Sequence, residues 1–401
     1  MRSRVSIAAA RYARLAGVAS LAALPAAAQD FDTCTKELRA EATANGIAMA
    51  TLDLAFAGLQ PDPTVFEAMD NQPEFETPVW EYLARLVDDK RVADGRAMLE
   101  QWRRPLTLAQ RRYGVERHFL VAVWGVETDY GRIMGRRSLI RSLATLSCAG
   151  PRQRYFRGEL MATLQILQSG DVRPEALRGS WAGAFGHSQF MPSTFKRSAV
   201  DLDGDGRRDI VGSIPDALGS IANYLKDAGW VSGQPWGYEV KLPPGYSGPS
   251  GRHNRHELAE WKRLGIQRVD RKPLTGPDRA ALLLPAGTRG PAFLVFQNFQ
   301  AIHAYNNSES YALAIAHLSD RLQGGGPIVA AWPTDDRLLS RAERVELQLW
   351  LIERGFYSGA ADGILGSRTV EAIKAFQSSA GLQADGFASA RVLKALREAP
   401  A

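Results

Sequence analysis

Three observations predict a mainly α fold of α+β type, with a small β-bearing subdomain and a separate C-terminal three-helix module. Residues 35–115 repeat apolar positions at helical spacing, and residues 231–296 shift to Gly, Pro and short β-prone runs. A Gly-Gly-Gly-Pro stretch at 324–327 then breaks the pattern ahead of two further amphipathic segments. At 401 residues, 45% hydrophobic and 23% charged, the chain is long enough for more than one core, which excludes a largely disordered protein.

Taken from the start, residues 1–28 carry Arg2, Arg4, Arg11 and Arg14, then the apolar run 15–24, then Ala26, Ala27 and Ala28. That is the three-part pattern of a secretory signal, with a mature chain expected from Gln29. The apolar run is shorter than the roughly 20 residues that cross a bilayer, so no membrane span is expected. Without those four arginines the formal charge of +6 becomes +2. The remaining basic residues are scattered, and Arg103-Arg104 with Arg111-Arg112 read as a solvated helix face, which argues against nucleic acid as a partner. Cys34 and Cys148 are the two cysteines and both follow the signal. An oxidising compartment makes a single disulfide between them the expected state, with two buried thiols as the alternative.

Helices are predicted over 35–45, 79–87, 90–102 and 107–113, and again over 156–169 and 213–229. Among them, Leu120-Val-Ala-Val-Trp124-Gly-Val-Glu127-Thr-Asp129-Tyr-Gly131 places one carboxylate inside an apolar helical run. Loss of hydration there favours the protonated carboxyl, so Glu127 reads as a general acid. Asp129 is two residues on, roughly 200° around the helix, and is no partner for it. In Ser180-Trp-Ala-Gly183-Ala-Phe-Gly186-His187-Ser188-Gln189, two glycines allow close backbone approach and an amide offers both a donor and an acceptor. The segment reads as a sugar-holding loop or, equally, as a packing turn before a helix near Ser193. Further on, 238–242 and 292–296 are predicted strands and 311–322 a helix. His253 and His256, three apart, lack a third ligand pattern for zinc. Residues 323–337 are predicted as a linker, and 338–398 as the module, with helices over 344–355, 368–380 and 388–397 and an Asp362-Gly363 turn.

Together these motifs resemble the lytic murein transglycosylases of the B type, which have a lysozyme-like catalytic core. The resemblance runs through Gln72-Pro-Glu-Phe75, Trp80-Glu-Tyr82, the Glu127 helix, Ala144-Thr-Leu-Ser147, the 180–195 loop, Asn223-Tyr224, Asn298-Phe299 and Tyr305-Asn306. It implies a catalytic domain over 29–322, with Glu127 as the acid/base and Ser180 as a hydroxyl that orients it. Gln189, Tyr82, Tyr224, Tyr305 and Asn306 are implied to line the sugar cleft, whereas His187 and Ser188 match no role. The module resembles a small peptidoglycan-binding domain.

Asp201-Leu-Asp203-Gly-Asp205-Gly206 has the acidic spacing of a calcium loop, but Gly212 stands where the closing acid belongs. Relatives with a lengthened loop imply Asp216 as the closing ligand of a structural calcium; no cofactor is expected for the chemistry itself. The implied reaction is periplasmic cleavage of the β-1,4 bond between N-acetylmuramic acid and N-acetylglucosamine to give 1,6-anhydromuramoyl products. A hydrolytic muramidase and an inert peptidoglycan-binding scaffold are the alternatives. Glycan strands are the implied partner, and cell-wall synthesis or division proteins stay open as others.

Overall fold

A computed structural model describes residues 31–70 and 77–399. The expected export signal over 1–28 and the 72–75 motif lie outside the described residues. The chain begins with α1 (Phe31–Ala44), α2 (Met49–Phe56) and α3 (Thr64–Asp70), followed by α4 (Val79–Leu86), α5 (Asp89–Gln101), α6 (Arg103–Tyr113) and α7 (Arg117–Thr128). In α7, Phe119 to Gly125 are all buried. A helix that is apolar on every side has to be enclosed by others, and α7 packs against α5, α6 and later helices. It stops at Asp129 and Tyr130, two consecutive residues with left-handed φ of 49° and 59°. Tyr130 folds back so tightly that a Cβ on Gly125 would meet its ring at 2.7 Å. Glu127 is thereby held in the final turn.

A second core forms from α1 and α2 with α8 (Leu139–Cys148), α9 (Gln153–Ser169) and α10 (Pro192–Ser198), centred on Leu38, Leu143, Phe156, Leu160 and Phe195. The expected disulfide is present: Cys34 of α1 and Cys148 of α8 are bonded, with Cα atoms 5.7 Å apart. A two-stranded ladder, β1 (Arg137–Ser138) with β2 (Arg178–Gly179), leads into the 180–191 loop. Next comes α11 (Ile214–Asp227), whose N-terminal Ser213 hydroxyl accepts from the Asp216 amide.

The Gly- and Pro-rich region is a five-stranded antiparallel sheet built from β3 (Gly237–Lys241), β4 (Arg255–Glu257), β5 (Gln267–Arg268), β6 (Arg279–Leu283) and β7 (Ala292–Val295), in the order β4-β6-β7-β3-β5. One face packs Tyr238, Val240, Leu282 and Leu294 against Trp261 of α12 (Leu258–Arg263). The opposite face sends Ala281, Leu283, Phe293 and Val295 into the core around α7. Burial on both faces makes β6 a continuous apolar run without alternation, which is why periodicity did not reveal it. α13 (Gln297–Asn306) and α14 (Glu309–Leu322) complete the unit, with α14 laid along α7. α13 was not predicted as a helix; it is ten residues long and held by burial of Phe299, Ala301 and Ile302 more than by any strong local signal.

The predicted linker is docked along the catalytic unit. The amides of Val329 and Ala330 donate to Glu239 at 2.8 and 2.7 Å, and the Trp332 ring lies 6.2 Å from that of Trp80. Beyond it, α15 (Arg341–Glu353), α16 (Ser367–Ser379) and α17 (Ala390–Glu398) enclose their own core of Leu347, Leu351, Ile373, Phe376 and Leu396. The module touches the catalytic unit through Asp385, which accepts from the Thr288 amide at 3.0 Å. Among the described residues no helix is long and apolar enough to cross a membrane.

Candidate active site

Glu127 is half-buried at the end of α7, and its Oε1 accepts a hydrogen bond from the Tyr311 hydroxyl. Tyr311 belongs to the first turn of α14, where the Ser308 hydroxyl accepts its amide at 3.3 Å. The capping contact anchors the backbone that carries the phenol. Tyr311 stacks on Tyr305 of α13, with ring centroids 6.2 Å apart. Burial, reinforced by the Glu127 charge, pushes both phenols well above the usual tyrosine range. They therefore stay protonated and serve as donors.

Around this pair the structure gathers most of the tyrosines implied by the sequence. Tyr82 of α4 is buried and close enough to Tyr311 for the two phenols to interact electrostatically. Tyr305 donates to the Ser188 carbonyl at 2.8 Å, and Tyr224 of α11, with its ring 4.7 Å from that of Tyr305, donates to the Ala304 carbonyl at 2.7 Å. Asn306 is exposed as the last residue of α13. Gln189 takes a left-handed φ of 47° and donates its amide to the carbonyls of Gly186 and Met134 at 2.9 and 3.1 Å. A non-glycine residue in that conformation is held there by its surroundings.

The Ser180 hydroxyl accepts the Ala184 amide at 3.0 Å and so closes the loop, and Glu127 receives the Tyr311 hydroxyl. Sequence reasoning missed Tyr311, although a tyrosine in a helix as apolar as 311–318 signals a hydroxyl in need of a buried partner. Nearby acids are engaged elsewhere. Asp129 pairs with Arg132 at 3.2 Å and Arg91 at 3.4 Å. Asp209 accepts the amides of Val211 and Gly212. Glu309 lies two residues before Tyr311, on another face of α14, and meets Arg252 at 3.7 Å.

Asp201, Asp203, Asp205 and Asp216 each bring an oxygen within 4.8 Å of the others, the one such acidic group among the described residues. Asp216 is fully buried, and burial raises its carboxyl pKa despite amide donors from Leu202, Asp203 and Asp209. His253 and His256 join no such group; His256 bonds to Asn254 at 2.9 Å.

A helical core in which, among the described residues, one half-buried carboxylate is walled by tyrosines, flanked by a small sheet, defines a lysozyme-like glycan-cleaving enzyme. The chain belongs to the transglycosylase SLT domain family, whose model matches residues 30–320. A putative peptidoglycan binding domain matches residues 340–396. The chain is 35% identical over 267 residues to membrane-bound lytic murein transglycosylase B of Escherichia coli, covering 64% of this chain and 73% of that protein. Its fold is similar to SltB3 from Pseudomonas aeruginosa in complex with NAG-anhNAM-pentapeptide, with a TM-score of 0.90 and 50% identity over 92% of this chain and 100% of the other. It is also similar to the Escherichia coli lytic transglycosylase Slt35 in complex with calcium, with a TM-score of 0.64 and 31% identity over 72% and 92% of the two chains. The protein is a peptidoglycan lytic transglycosylase.

Proposed function

We propose that the chain is exported by residues 1–28 and works in the periplasm, where Glu127 alone serves as acid and then as base. The carboxyl first gives its proton to the glycosidic oxygen between N-acetylmuramic acid and N-acetylglucosamine as the C1–O bond breaks. Positive charge developing at the anomeric carbon is offset by the substrate's acetamido oxygen and by cleft dipoles. Now ionised, Glu127 removes the proton from the muramoyl 6-hydroxyl as that oxygen bonds to the anomeric carbon, closing the 1,6-anhydro ring and restoring the acid. Tyr311 holds the carboxyl in place for both proton transfers.

The observation that carries this reading is that Glu127 is the one carboxylate joined to the tyrosine cluster among the described residues, Asp129 being paired with arginines and Glu309 with Arg252. A muramidase would ordinarily need a second acid to handle water, whereas an intramolecular hydroxyl gains by proximity. Mass spectrometry of products from isolated peptidoglycan tests it. Anhydromuropeptides, lighter by one water than reducing-end products, are expected to dominate; a digest dominated by reducing ends overturns the reaction class.

The acidic loop fits calcium. It offers four carboxylates at one point, one of them buried in the fold without a cationic side chain among its hydrogen-bond partners. Asp201, Asp203, Asp205 and Asp216 would hold the ion, and its charge would offset theirs. The C-terminal module would add a second attachment to the glycan network.

A further inference from the structure

We propose that His187 is a positioning residue that holds the sugar loop against the catalytic helix. Its imidazole is buried, and Nδ1 accepts the indole N–H of Trp124 at 3.0 Å, with the two rings edge to face at 5.6 Å. Trp124 precedes Glu127 by one helical turn. On the other side of Glu127, the Thr128 hydroxyl shares its proton between the Trp124 carbonyl at 3.2 Å and the His187 carbonyl at 3.3 Å, and accepts the Gly131 amide at 3.0 Å. The catalytic acid is thus bracketed by two neighbours on α7 that both bond to one histidine. Gly131, with φ at 87°, lies so close that a Cβ there would stand 2.4 Å from the imidazole Cε1.

His187 is equally tied to the opposite wall of the cleft. It precedes Ser188, whose carbonyl receives the Tyr305 hydroxyl, and it lies two residues before Gln189. Its own amide donates to the Ile210 carbonyl at 3.0 Å, reaching the segment that follows the acidic loop. An indole N–H can only donate, so Nδ1 must present its lone pair and the ring proton sits on Nε2. Burial also lowers the basicity of this ring, which keeps the acceptor available. Because reacting groups must be aligned to within about 1 Å, loss of this bond should reach the chemistry through Glu127 and Gln189 without touching substrate.

The inference rests on Glu127 being the acid, and the test separates the two. In nitrogen-15 spectra of the wild-type protein, His187 is expected as the Nε2–H tautomer with a bare Nδ1; an Nδ1–H tautomer overturns the proposal whatever the activity. His187→Leu keeps bulk and removes the acceptor, and Trp124→Phe removes the donor. Each is expected to lower kcat at least about tenfold with KM within about threefold, and the double variant should be little worse than either single one. His187→Asn, which places an oxygen near the Nδ1 position, should recover most of kcat. Wild-type kcat in folded His187→Leu, or equal kcat for the Asn and Leu variants, refutes the positioning role. If His187→Leu fails to fold, Trp124→Phe with the wild-type tautomer decides it. Turnover retained by Glu127→Gln would instead sink the acid assignment while leaving the tautomer result intact.

Discussion

Replacing Tyr311 with phenylalanine removes one hydroxyl and leaves the ring stacked on Tyr305. The lost contact is a hydrogen bond from a phenol only 1% exposed to the half-buried Glu127 carboxylate. Bonds to charged groups contribute about 1.5–3 kcal/mol. If that bond aligns Glu127 as the proton moves, the loss appears in kcat as about a 10- to 150-fold decrease, at roughly 1.36 kcal/mol per decade. KM should move little, because the phenol faces the acid rather than the sugar. Turnover of purified sacculi with quantified muropeptides measures both, and a circular dichroism melt checks that the fold is kept. Glu127→Gln is the reference, with nearly all turnover lost and glycan binding retained. A folded Tyr311→Phe enzyme within twofold of wild-type kcat, or one altered in KM alone, would refute the assignment.

Closing the 114-residue separation between Cys34 and Cys148 should stabilise the catalytic unit by about 4.8 kcal/mol in the chain-entropy model, and thiol titration of denatured, unreduced protein should find no free cysteine. Calcium at about a hundred times its Kd should stabilise the fold by about 2.7 kcal/mol, read as a rise in Tm that disappears in Asp216→Asn; an equal rise in both proteins would place the ion elsewhere. Asp320 receives the Trp236 indole N–H, and burial pushes its carboxyl up to about 7. A carboxyl raised in the folded state favours folding most below its unfolded pKa of about 4, and this contribution is lost as pH rises through 7. Asp320→Asn should therefore raise Tm relative to wild type at pH 8 more than at pH 4, and a difference independent of pH would count against a buried, raised carboxyl.

The sequence by itself determined what depends on local order. The 3.6-residue repeat marked α1, α4, α5 and α14; a lone acid in an apolar helix singled out Glu127; and having only two cysteines left one pairing to make. Acidic spacing likewise marked 201–205, and a resemblance supplied Asp216. Only the tertiary structure decided which groups meet across the cleft. Tyr311 stands 184 residues from Glu127, and no periodicity relates them; their contact exists because α14 packs along α7 and Ser308 caps the turn between α13 and α14. The Ser180 hydroxyl, by contrast, finds one partner locally, the Ala184 amide four residues on in the same tight loop. His187 gave no signal at all, since a buried imidazole acquires its role from the indole that packing places beside it. Side-chain chemistry is written along the chain, but hydrogen-bond partners are chosen by burial, which removes water as an alternative and forces each polar group to find its neighbour in the folded chain.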